Sequence, residues 1–258
     1  MTFTTFGIIG YGHFGQLLAS SLAEHGRVRA YDVDSAKLAT LPNGVEAATF
    51  AEVARCDVVA LAVPFAALEA VLAELNGQLP ATTVVMDVVS TKQLATELLT
   101  TALGGHDEVL ATHPLFGPPS MERIVPGLRL VVTHAGGARA QALAAFLEHD
   151  LGLEVLRVAP EEHDRAMAYM QALPFFIARG LVQLDILRYR DSELALPSFE
   201  KLAAIAAIEE HHTHGMFDTS QRSNPYADQV RADFMRILAA LDEEILQSER
   251  DNPIPTST

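Results

Sequence analysis

Short apolar runs alternate with helical spacing along the first 160 residues. The runs occupy 6–9, 28–32, 57–63, 83–88, 109–111, 128–132 and 153–156. The runs at 57–63 and 83–88 carry no polar alternation, which is typical of strands buried on both faces. Such strands, separated by helices, form a parallel sheet that helices cover on both sides. The pattern therefore predicts an α/β fold with a Rossmann-type, doubly wound, mostly parallel sheet.

The pattern changes at about Glu161, where strand signals cease. Helical spacing then covers 163–189, 199–212 and 226–249, with Pro174, Pro197 and Pro225 between or within these segments. Prolines of this kind are typical of helix boundaries. We therefore expect two domains: a sheet domain over 1–160 and an all-helical domain over 161–258. The apolar faces of the later helices are expected to form a core or a dimer interface.

A glycine-rich turn follows the first predicted strand and leads directly into helical spacing. Its sequence is Gly10-Tyr11-Gly12-His13-Phe14-Gly15. Strand, glycine turn and helix occur in the order that dinucleotide binding requires. Gly10 would permit the tight turn, Gly12 would leave room for a pyrophosphate against the backbone, and Gly15 would let helix and strand pack closely. We assign His13 and Phe14, which lie inside this turn, to the same cofactor site.

An acidic residue, Asp32, ends the second predicted strand. A carboxylate at this position binds the adenosine ribose hydroxyls and repels a 2′-phosphate, so we expect NAD to be preferred over NADP. A glycine turn beside an unrelated surface aspartate is the simpler alternative, and the combination of the two features disfavours it. Ligands of such sheets bind beyond the carboxyl ends of the strands, which adds Val63 and Pro64 to the cofactor site.

Two further polar residues follow predicted strands. His113 comes after the apolar run 109–111, and we expect Pro114 to stop that strand from pairing further. A neutral imidazole at this edge is suited to general-base chemistry. Ser90 and Thr91 precede a predicted helix, which either hydroxyl could cap. Ser90 could also face the nicotinamide and substrate, and the two roles are compatible. Lys92 is interpreted as a structural or solvated charge.

Composition narrows the class of protein. The 258 residues are 49% hydrophobic and carry a formal net charge of -15, which argues against a nucleic-acid partner or an anionic membrane. No apolar run reaches the roughly 18 residues that cross a bilayer. The single cysteine suits a reducing compartment. We expect a cytoplasmic protein without a targeting peptide that acts on a small molecule, with no regulatory domain after the last helix.

No metal site is expected. Three histidines lie in a polar run beside Glu209 and Glu210, at positions 211, 212 and 214. Such a run is more typical of a solvated helix face than of a metal site.

Three motifs together resemble a known enzyme family. They are Gly10-x-Gly12-x-x-Gly15, Asp87-Val88-Val89-Ser90-Thr91-Lys92 and His113-Pro114-Leu115-Phe116-Gly117-Pro118. In order and spacing they resemble the prephenate/arogenate dehydrogenases of tyrosine biosynthesis. The glycine motif is generic, whereas the other two are specific. The similarity extends through 162–165 and 169–173, and 224–228 is similar to the opening of a C-terminal helix in bacterial members.

The resemblance implies an oxidoreductase that oxidatively decarboxylates prephenate to 4-hydroxyphenylpyruvate, or arogenate to tyrosine, with NAD. It implies that His113 is the catalytic base, which accepts the ring-hydroxyl proton while hydride passes to NAD. Ser90 matches the serine that hydrogen-bonds near the hydroxyl and the nicotinamide, and Gln171 lies in a matching segment assigned to the substrate. Family members pair through the helical domain, so a homodimer is expected.

The residue that binds the substrate side chain is left open. Prephenate-specific relatives use an arginine of the helical domain, and the matching position here falls on Glu209 or Gln221. Arg222 is close in sequence and is our candidate substitute, since guanidinium pairs well with carboxylate. Arg179 and Arg129 are further options, although a surface salt bridge explains each of them better. An acid at this position would suit the ammonium group of arogenate or of an amino-substituted prephenate.

Two other functions remain as alternatives. A related reductase or β-hydroxyacid dehydrogenase would share the two-domain plan, but those enzymes usually use a lysine early in the helical domain. No lysine occurs between Lys92 and Lys201. A noncatalytic protein that senses NAD would not need both Ser90 and His113.

Overall fold

A computed structural model of the chain describes residues 2–117, 123–211 and 214–251. Eight strands form one sheet in this part of the chain. They are β1 Thr5–Ile9, β2 Arg27–Tyr31, β3 Val45–Ala47, β4 Val58–Leu61, β5 Val84–Asp87, β6 Val109–Pro114, β7 Arg129–Ala135 and β8 Glu154–Arg157. Ten α-helices accompany them in the described residues. They are α1 His13–Leu22, α2 Phe50–Val53, α3 Phe65–Leu75, α4 Gln93–Ala102, α5 Ala138–His149, α6 Pro160–Met167, α7 Leu173–Gln183, α8 Pro197–Ala207, α9 His214–Asp218 and α10 Ala227–Asp251.

The strand order in the sheet is β3-β2-β1-β4-β5-β6-β7-β8. Every neighbouring pair is parallel except β6 and β7, which are antiparallel. The predicted Rossmann-type, mostly parallel sheet is therefore confirmed. The sequence pattern missed β3, which has only three residues and one buried side chain, Val45. So short a strand leaves no periodicity to detect.

Apolar side chains pack on both faces of the sheet, as a doubly wound fold requires. One buried cluster joins α1 and α5 to the strands, with Leu18 and Leu147 among its members. The other joins α2, α3 and α4 to the opposite face, through residues such as Leu68 and Leu99. Because both faces are covered, the edge at which the parallel strands end is the exposed part of the sheet that ligands can reach.

Strand β6 extends further than its sequence predicted. The expectation that Pro114 stops the pairing is wrong, because Pro114 itself pairs with Leu130 of β7. The next N–H, of Leu115, donates to a β7 carbonyl. Successive N–H groups of a strand point to opposite sides. Because the Leu115 N–H points to β7, an N–H on Pro114 would point to the β5 side, and β5 has already ended at Asp87. Proline costs no hydrogen bond there, and His113 lies within the strand rather than after it.

After β8 the described residues form helices and turns only. The helix predicted over 163–189 is divided into α6, a π-helical turn Ala168–Ala172, α7 and a 3-10 turn Ile186–Tyr189. Pro174, near the start of α7, has no N–H for the preceding turn, and a π-helical turn takes up the mismatch. Asp185, with φ of 58°, separates α7 from the 3-10 turn. Within the described residues, no helix is both long and apolar enough to cross a membrane.

Candidate active site

The glycine turn has the geometry expected of a dinucleotide site. Gly10 has φ of +95°, and a Cβ there would lie 2.5 Å from the Ala62 carbonyl oxygen. A Cβ on Gly15 would lie 2.0 Å from the Gly10 oxygen, so α1 packs directly on the turn. A Cβ on Gly12 would meet nothing within 4 Å. Gly12 is also the N-cap of α1 and no side chain caps it, which leaves N–H groups for a pyrophosphate.

The other residues assigned to the cofactor surround this turn. Val63 lies next to Gly10, because its Cγ1 is 2.9 Å from the position of a Gly10 Cβ, and the exposed Pro64 begins α3. His13 is exposed at the first residue of α1. Phe14 is half-buried, and its ring contacts the Phe116 ring with centroids 6.1 Å apart. The glycine turn therefore packs on the segment that follows β6.

Asp32 lies beside the same turn and is held by several donors. The Tyr11 N–H donates to Oδ2 at 2.7 Å and the Asp34 N–H donates to Oδ1 at 2.9 Å. The Lys37 ammonium donates to both oxygens at 3.1 Å. Burial alone would raise the pKa of Asp32, but these hydrogen bonds outweigh it and the pKa lies below its usual value. Asp32 is therefore an ionised acceptor beside the glycine turn.

His113 is the first member of a buried chain of three side chains. Its Nδ1 is 2.9 Å from His163 Nε2, and His163 Nδ1 is 2.8 Å from Asp164 Oδ1. The two rings meet edge to face, with centroids 5.1 Å apart. His113, His163 and Asp164 are at most 5% exposed. Strand β6 supplies the first residue and α6 the other two, so the chain joins the sheet to the helices.

This chain of hydrogen bonds fixes one set of ring protons. A carboxylate can only accept, so His163 donates from Nδ1 to Asp164 and, when neutral, presents a bare Nε2. His113 then donates from Nδ1 to that nitrogen, which leaves its own Nε2 without a proton. Burial, followed by the charges of His163 and Lys92, lowers the pKa of His113 well below its usual value. His113 is therefore a neutral imidazole whose free nitrogen can accept a proton.

A buried ion pair lies beneath this histidine. The Lys92 ammonium donates to Asp87 Oδ2 and to the Thr112 carbonyl, and both charged side chains are 0% exposed. Burial lowers the pKa of Lys92, and the attraction of Asp87 partly offsets this. Asp87 also accepts the Val89 and Thr112 N–H groups at 3.0 and 3.1 Å. The interpretation of Lys92 as a solvated charge is therefore wrong, and the structural alternative holds.

The cap of α4 differs from the sequence expectation. Ser90 or Thr91 was one candidate for the capping side chain, but no side chain of the N-cap residue bonds the helix. Instead Asp164 accepts the Lys92 N–H at 2.7 Å and the Gln93 N–H at 2.9 Å. The capping alternative for Ser90 is therefore wrong, and its hydroxyl remains available for a ligand. One carboxylate thus orders both the α4 terminus and the two histidines.

Known proteins share both sequence and fold with this chain. Residues 18–143 match the model of the prephenate dehydrogenase nucleotide-binding domain. The chain belongs to the prephenate/arogenate dehydrogenase family. It is 25% identical over 215 residues to a protein of Methanocaldococcus jannaschii named "probable arogenate/prephenate dehydrogenase", covering 81% of this chain and 47% of that protein. It is 30% identical over 194 residues to the chloroplastic arogenate dehydrogenase 1 of Arabidopsis thaliana, covering 70% and 30%.

The chain therefore spans about half or less of the length of these curated relatives. Solved structures show the same fold over almost the whole chain. The Aquifex aeolicus prephenate dehydrogenase, solved with hydroxyphenyl propionate and NAD+, has a TM-score of 0.78 at 20% identity and covers 97% of this chain and 93% of its own. The Synechocystis arogenate dehydrogenase has a TM-score of 0.67 at 20% identity, covering 96% and 98%.

The structure also locates the remaining residues assigned to this family's substrate. Ser90 is half-buried three residues after β5, at the same sheet edge as His113. Gln171 is half-buried in the Ala168–Ala172 π-helical turn, and Arg222 is exposed in a second π-helical turn, Thr219–Ser223. These two turns pack together, so their assignment to one subsite is sterically consistent. Pro118 of the catalytic motif and His212 lie outside the described residues.

The two residues that the sequence offered for the arginine position, Gln221 and Glu209, both have partners within the helical part. Gln221 is buried, and its amide donates to the Ala172 carbonyl at 2.7 Å. Its Oε1 accepts from Arg231 Nη1 at 2.8 Å, and Arg231 also pairs with Asp228. Glu209 is paired with Arg179, which lies over a phenylalanine ring, so Arg179 is not a solvent-facing surface cation.

Sequence reasoning missed the roles of His163 and Asp164. Both were noted only as part of a segment similar to the family, at the start of a helix. They lie 50 residues after His113 and 72 after Lys92 respectively, so nothing local links them to the site. The available signal was the adjacency of two titratable residues on a helix that follows the last strand. Titratable side chains that are buried usually have hydrogen-bond partners, so this pair could have suggested a buried network.

Proposed function

We propose that this chain catalyses the NAD-dependent oxidative decarboxylation of prephenate or arogenate. The observation that carries the proposal is the His113–His163–Asp164 chain, which presents a bare His113 Nε2 at the sheet edge that also holds the dinucleotide turn. Family membership supplies the substrate class. Both substrates carry a ring hydroxyl and a carboxylate on the opposite ring carbon, which suits a single base and a hydride acceptor.

The residues supply positioning and one proton transfer. NAD, when bound, accepts the hydride from the carbon that carries the hydroxyl. His113 Nε2 takes the hydroxyl proton, so that the carbon–oxygen bond becomes a carbonyl. The bond between the ring and its carboxylate then breaks and carbon dioxide leaves. The electron pair of that bond completes the aromatic ring as a phenolate, which takes up a proton to give the phenol. Ser90 is proposed to hydrogen-bond the same hydroxyl. General-base help of this kind is typically worth about 10²–10⁴-fold in rate.

The cofactor assignment fits the residues at the glycine turn. The open space at Gly12 and the uncapped α1 terminus suit a pyrophosphate, and Asp32 is ionised where ribose hydroxyls would donate. We propose NAD as the preferred cofactor, because a 2′-phosphate would approach the Asp32 carboxylate. The buried free thiol of Cys56 suits a reducing compartment, and we propose that the protein is cytoplasmic.

A two-by-two assay tests the proposal. Prephenate and arogenate are each supplied with NAD and with NADP, and reduced cofactor is followed by absorbance. We expect turnover of at least one substrate and a higher kcat/KM with NAD than with NADP. Nucleotide binding without turnover of either substrate would contradict the function, and a higher kcat/KM with NADP would contradict the assignment of Asp32.

The substrate carboxylate is proposed to bind Arg222. The Asn224 side chain donates to the Asp164 carbonyl at 2.8 Å, so the residue that follows the Thr219–Ser223 turn contacts the residue that hydrogen-bonds His163. Among the described residues, Arg222 has no hydrogen-bond or ion-pair partner, whereas Arg231 binds Gln221 and Asp228. A guanidinium that is not already committed is the better partner for an incoming carboxylate.

Replacing Arg222 with glutamine is expected to raise the substrate KM about tenfold to hundredfold, with a much smaller change in kcat. A charge-assisted contact made equally in the ground and transition states has this signature. Steady-state kinetics with saturating cofactor measures it. Arg236→Gln, an exposed arginine further along α10 that pairs with Asp233, is the matched control. An unchanged KM in the Arg222 variant would rule this residue out.

We propose that two copies of the chain pair through the helical domain. Helix α10 carries six large apolar side chains that are 43% to 59% exposed: Met235, Ile237, Leu238, Leu241, Ile245 and Leu246. Exposed apolar surface of this extent marks an interface rather than a solvated helix face. Helix α7 contacts α10 and carries two more exposed apolar side chains, Val182 within the helix and Leu184 at its C-terminal end. These two side chains would enlarge the interface.

Replacing Leu241 with glutamate is expected to shift the chain from dimer to monomer, because an unpaired charge would be buried in the interface. Size-exclusion chromatography with light scattering gives the mass directly. Val125→Glu, an equally conspicuous exposed apolar site in the sheet domain, is the control and should leave the mass unchanged. A monomeric wild-type chain at micromolar concentration would contradict the proposal.

A further inference from the structure

A lysine covers the outer side of the ribose-binding carboxylate. Lys37 Nζ is 3.1 Å from both oxygens of Asp32, and its side chain is 43% exposed whereas that of Asp32 is 5% exposed. Lys37 is part of the short 3-10 turn Ser35–Leu38 that follows β2. The lysine therefore lies between the carboxylate and the solvent from which a nucleotide arrives.

The remaining acceptor positions of this carboxylate are already used. One oxygen accepts from the Tyr11 N–H and the other from the Asp34 N–H. Backbone donors cannot move away, whereas a lysine on a flexible stem can. A carboxylate has about four acceptor positions, so ribose hydroxyls that bind Asp32 must share or replace the contacts of Lys37. The ammonium then stays within reach of whatever group occupies the ribose 2′ position.

We propose that Lys37 sets the cofactor specificity of this chain, by supplying a cation that binds the 2′-phosphate of NADP and so limits the preference for NAD. With NAD, Asp32 accepts the ribose hydroxyls and Lys37 remains beside them. With NADP, the ammonium moves from the carboxylate to the phosphate, and this contact offsets much of the repulsion from Asp32. The inference rests on the proposed dinucleotide site but not on the proposed reaction.

The alternative is that Lys37 only neutralises Asp32 and holds the 3-10 turn in place. In that case its loss would affect nucleotides with and without the 2′-phosphate equally. The two roles therefore differ in a measurable ratio, the affinity for a 2′-phosphorylated adenosine nucleotide relative to its unphosphorylated counterpart. This ratio needs neither a substrate nor a turnover assay.

Isothermal titration of 2′-phospho-ADP-ribose and of ADP-ribose against Lys37→Met and Lys37→Arg tests the proposal. In the methionine variant we expect affinity for the 2′-phosphorylated ligand to fall about tenfold or more, the usual effect of losing one charged contact. Affinity for ADP-ribose should stay within about threefold. The arginine variant should retain the wild-type ratio. Lys201→Met, an exposed lysine of α8, is the control and should change neither affinity.

Equal losses for both ligands in the methionine variant, or no loss for either, would leave the ratio of the two affinities unchanged and would overturn the proposal. Equal losses would assign Lys37 a structural role. Failure of the wild-type chain to bind either ligand would instead contradict the dinucleotide site itself, so the two failures are distinguishable. Thermal melting of each variant shows whether an altered affinity reflects a folded protein.

Discussion

Replacing His113 with asparagine is expected to lower kcat about 10³-fold or more, while NAD still binds with nearly wild-type affinity. Asparagine can keep a hydrogen bond towards His163, but it offers no basic nitrogen to the substrate hydroxyl. General-base catalysis typically contributes about 10²–10⁴-fold, and the hydride cannot leave readily while the oxygen retains its proton. Steady-state kinetics with prephenate and with arogenate measures kcat, and titration with NAD in the absence of substrate measures the affinity for the cofactor.

His149→Asn is the matched control, since His149 is an exposed residue at the end of α5 and should tolerate the change without loss of kcat. A His113→Asn variant that turns over at the wild-type rate would contradict the assignment of the base. A variant that loses NAD binding to the same extent as kcat would show that His113 holds the cofactor instead.

Replacing His163 with leucine is expected to lower kcat about 10²-fold, because the His113 ring loses the hydrogen bond that orients it. His163 does not touch the substrate in this account; it fixes the His113 tautomer, so it is a positioning residue. The enzyme loses activity as pH falls through the His113 pKa, because only the neutral ring accepts a proton. The low pKa of His113 therefore predicts that the wild-type kcat stays constant as pH falls past 6.5, and that activity is lost only at the lower pH where His113 is protonated.

His163→Gln is the informative second variant. Its amide oxygen can accept from His113 Nδ1, as His163 Nε2 does, and we expect it to recover much of the lost kcat. Thermal melting of both variants separates loss of folding from loss of positioning. A leucine variant with unchanged kcat would show that His113 needs no support from His163.

The cofactor turn was predictable because its chemistry is local. Gly10, Gly12 and Gly15 fall within six residues, and each glycine meets the steric condition that the turn imposes. The location of Asp32 beside this turn was predictable for a related reason. Asp32 directly follows β2, and the alternation of strands and helices implies that β2 lies next to β1. The position of His113 at the carboxyl edge of the sheet was predictable from the same alternation of strands and helices.

The support beneath His113 was not predictable from the sequence. Lys92 is a charged residue whose most common environment is solvent, and only the position of Asp87 and the Thr112 carbonyl makes its burial tolerable. Asp164 reaches α4 from 72 residues away, and no local pattern encodes that contact. The paired state of Asp32 was hidden as well, because a lysine five residues later reads as a surface charge.

Coupled measurement of reduced cofactor, carbon dioxide and aromatic product in one reaction tests the central claim most directly. The wild-type chain is supplied with NAD and with whichever of prephenate or arogenate it turns over. The mechanism predicts that the three products form in a ratio of about one to one to one, because hydride transfer to NAD and decarboxylation belong to one oxidation. Reduced cofactor without carbon dioxide, or an aromatic product without reduced cofactor, would contradict it.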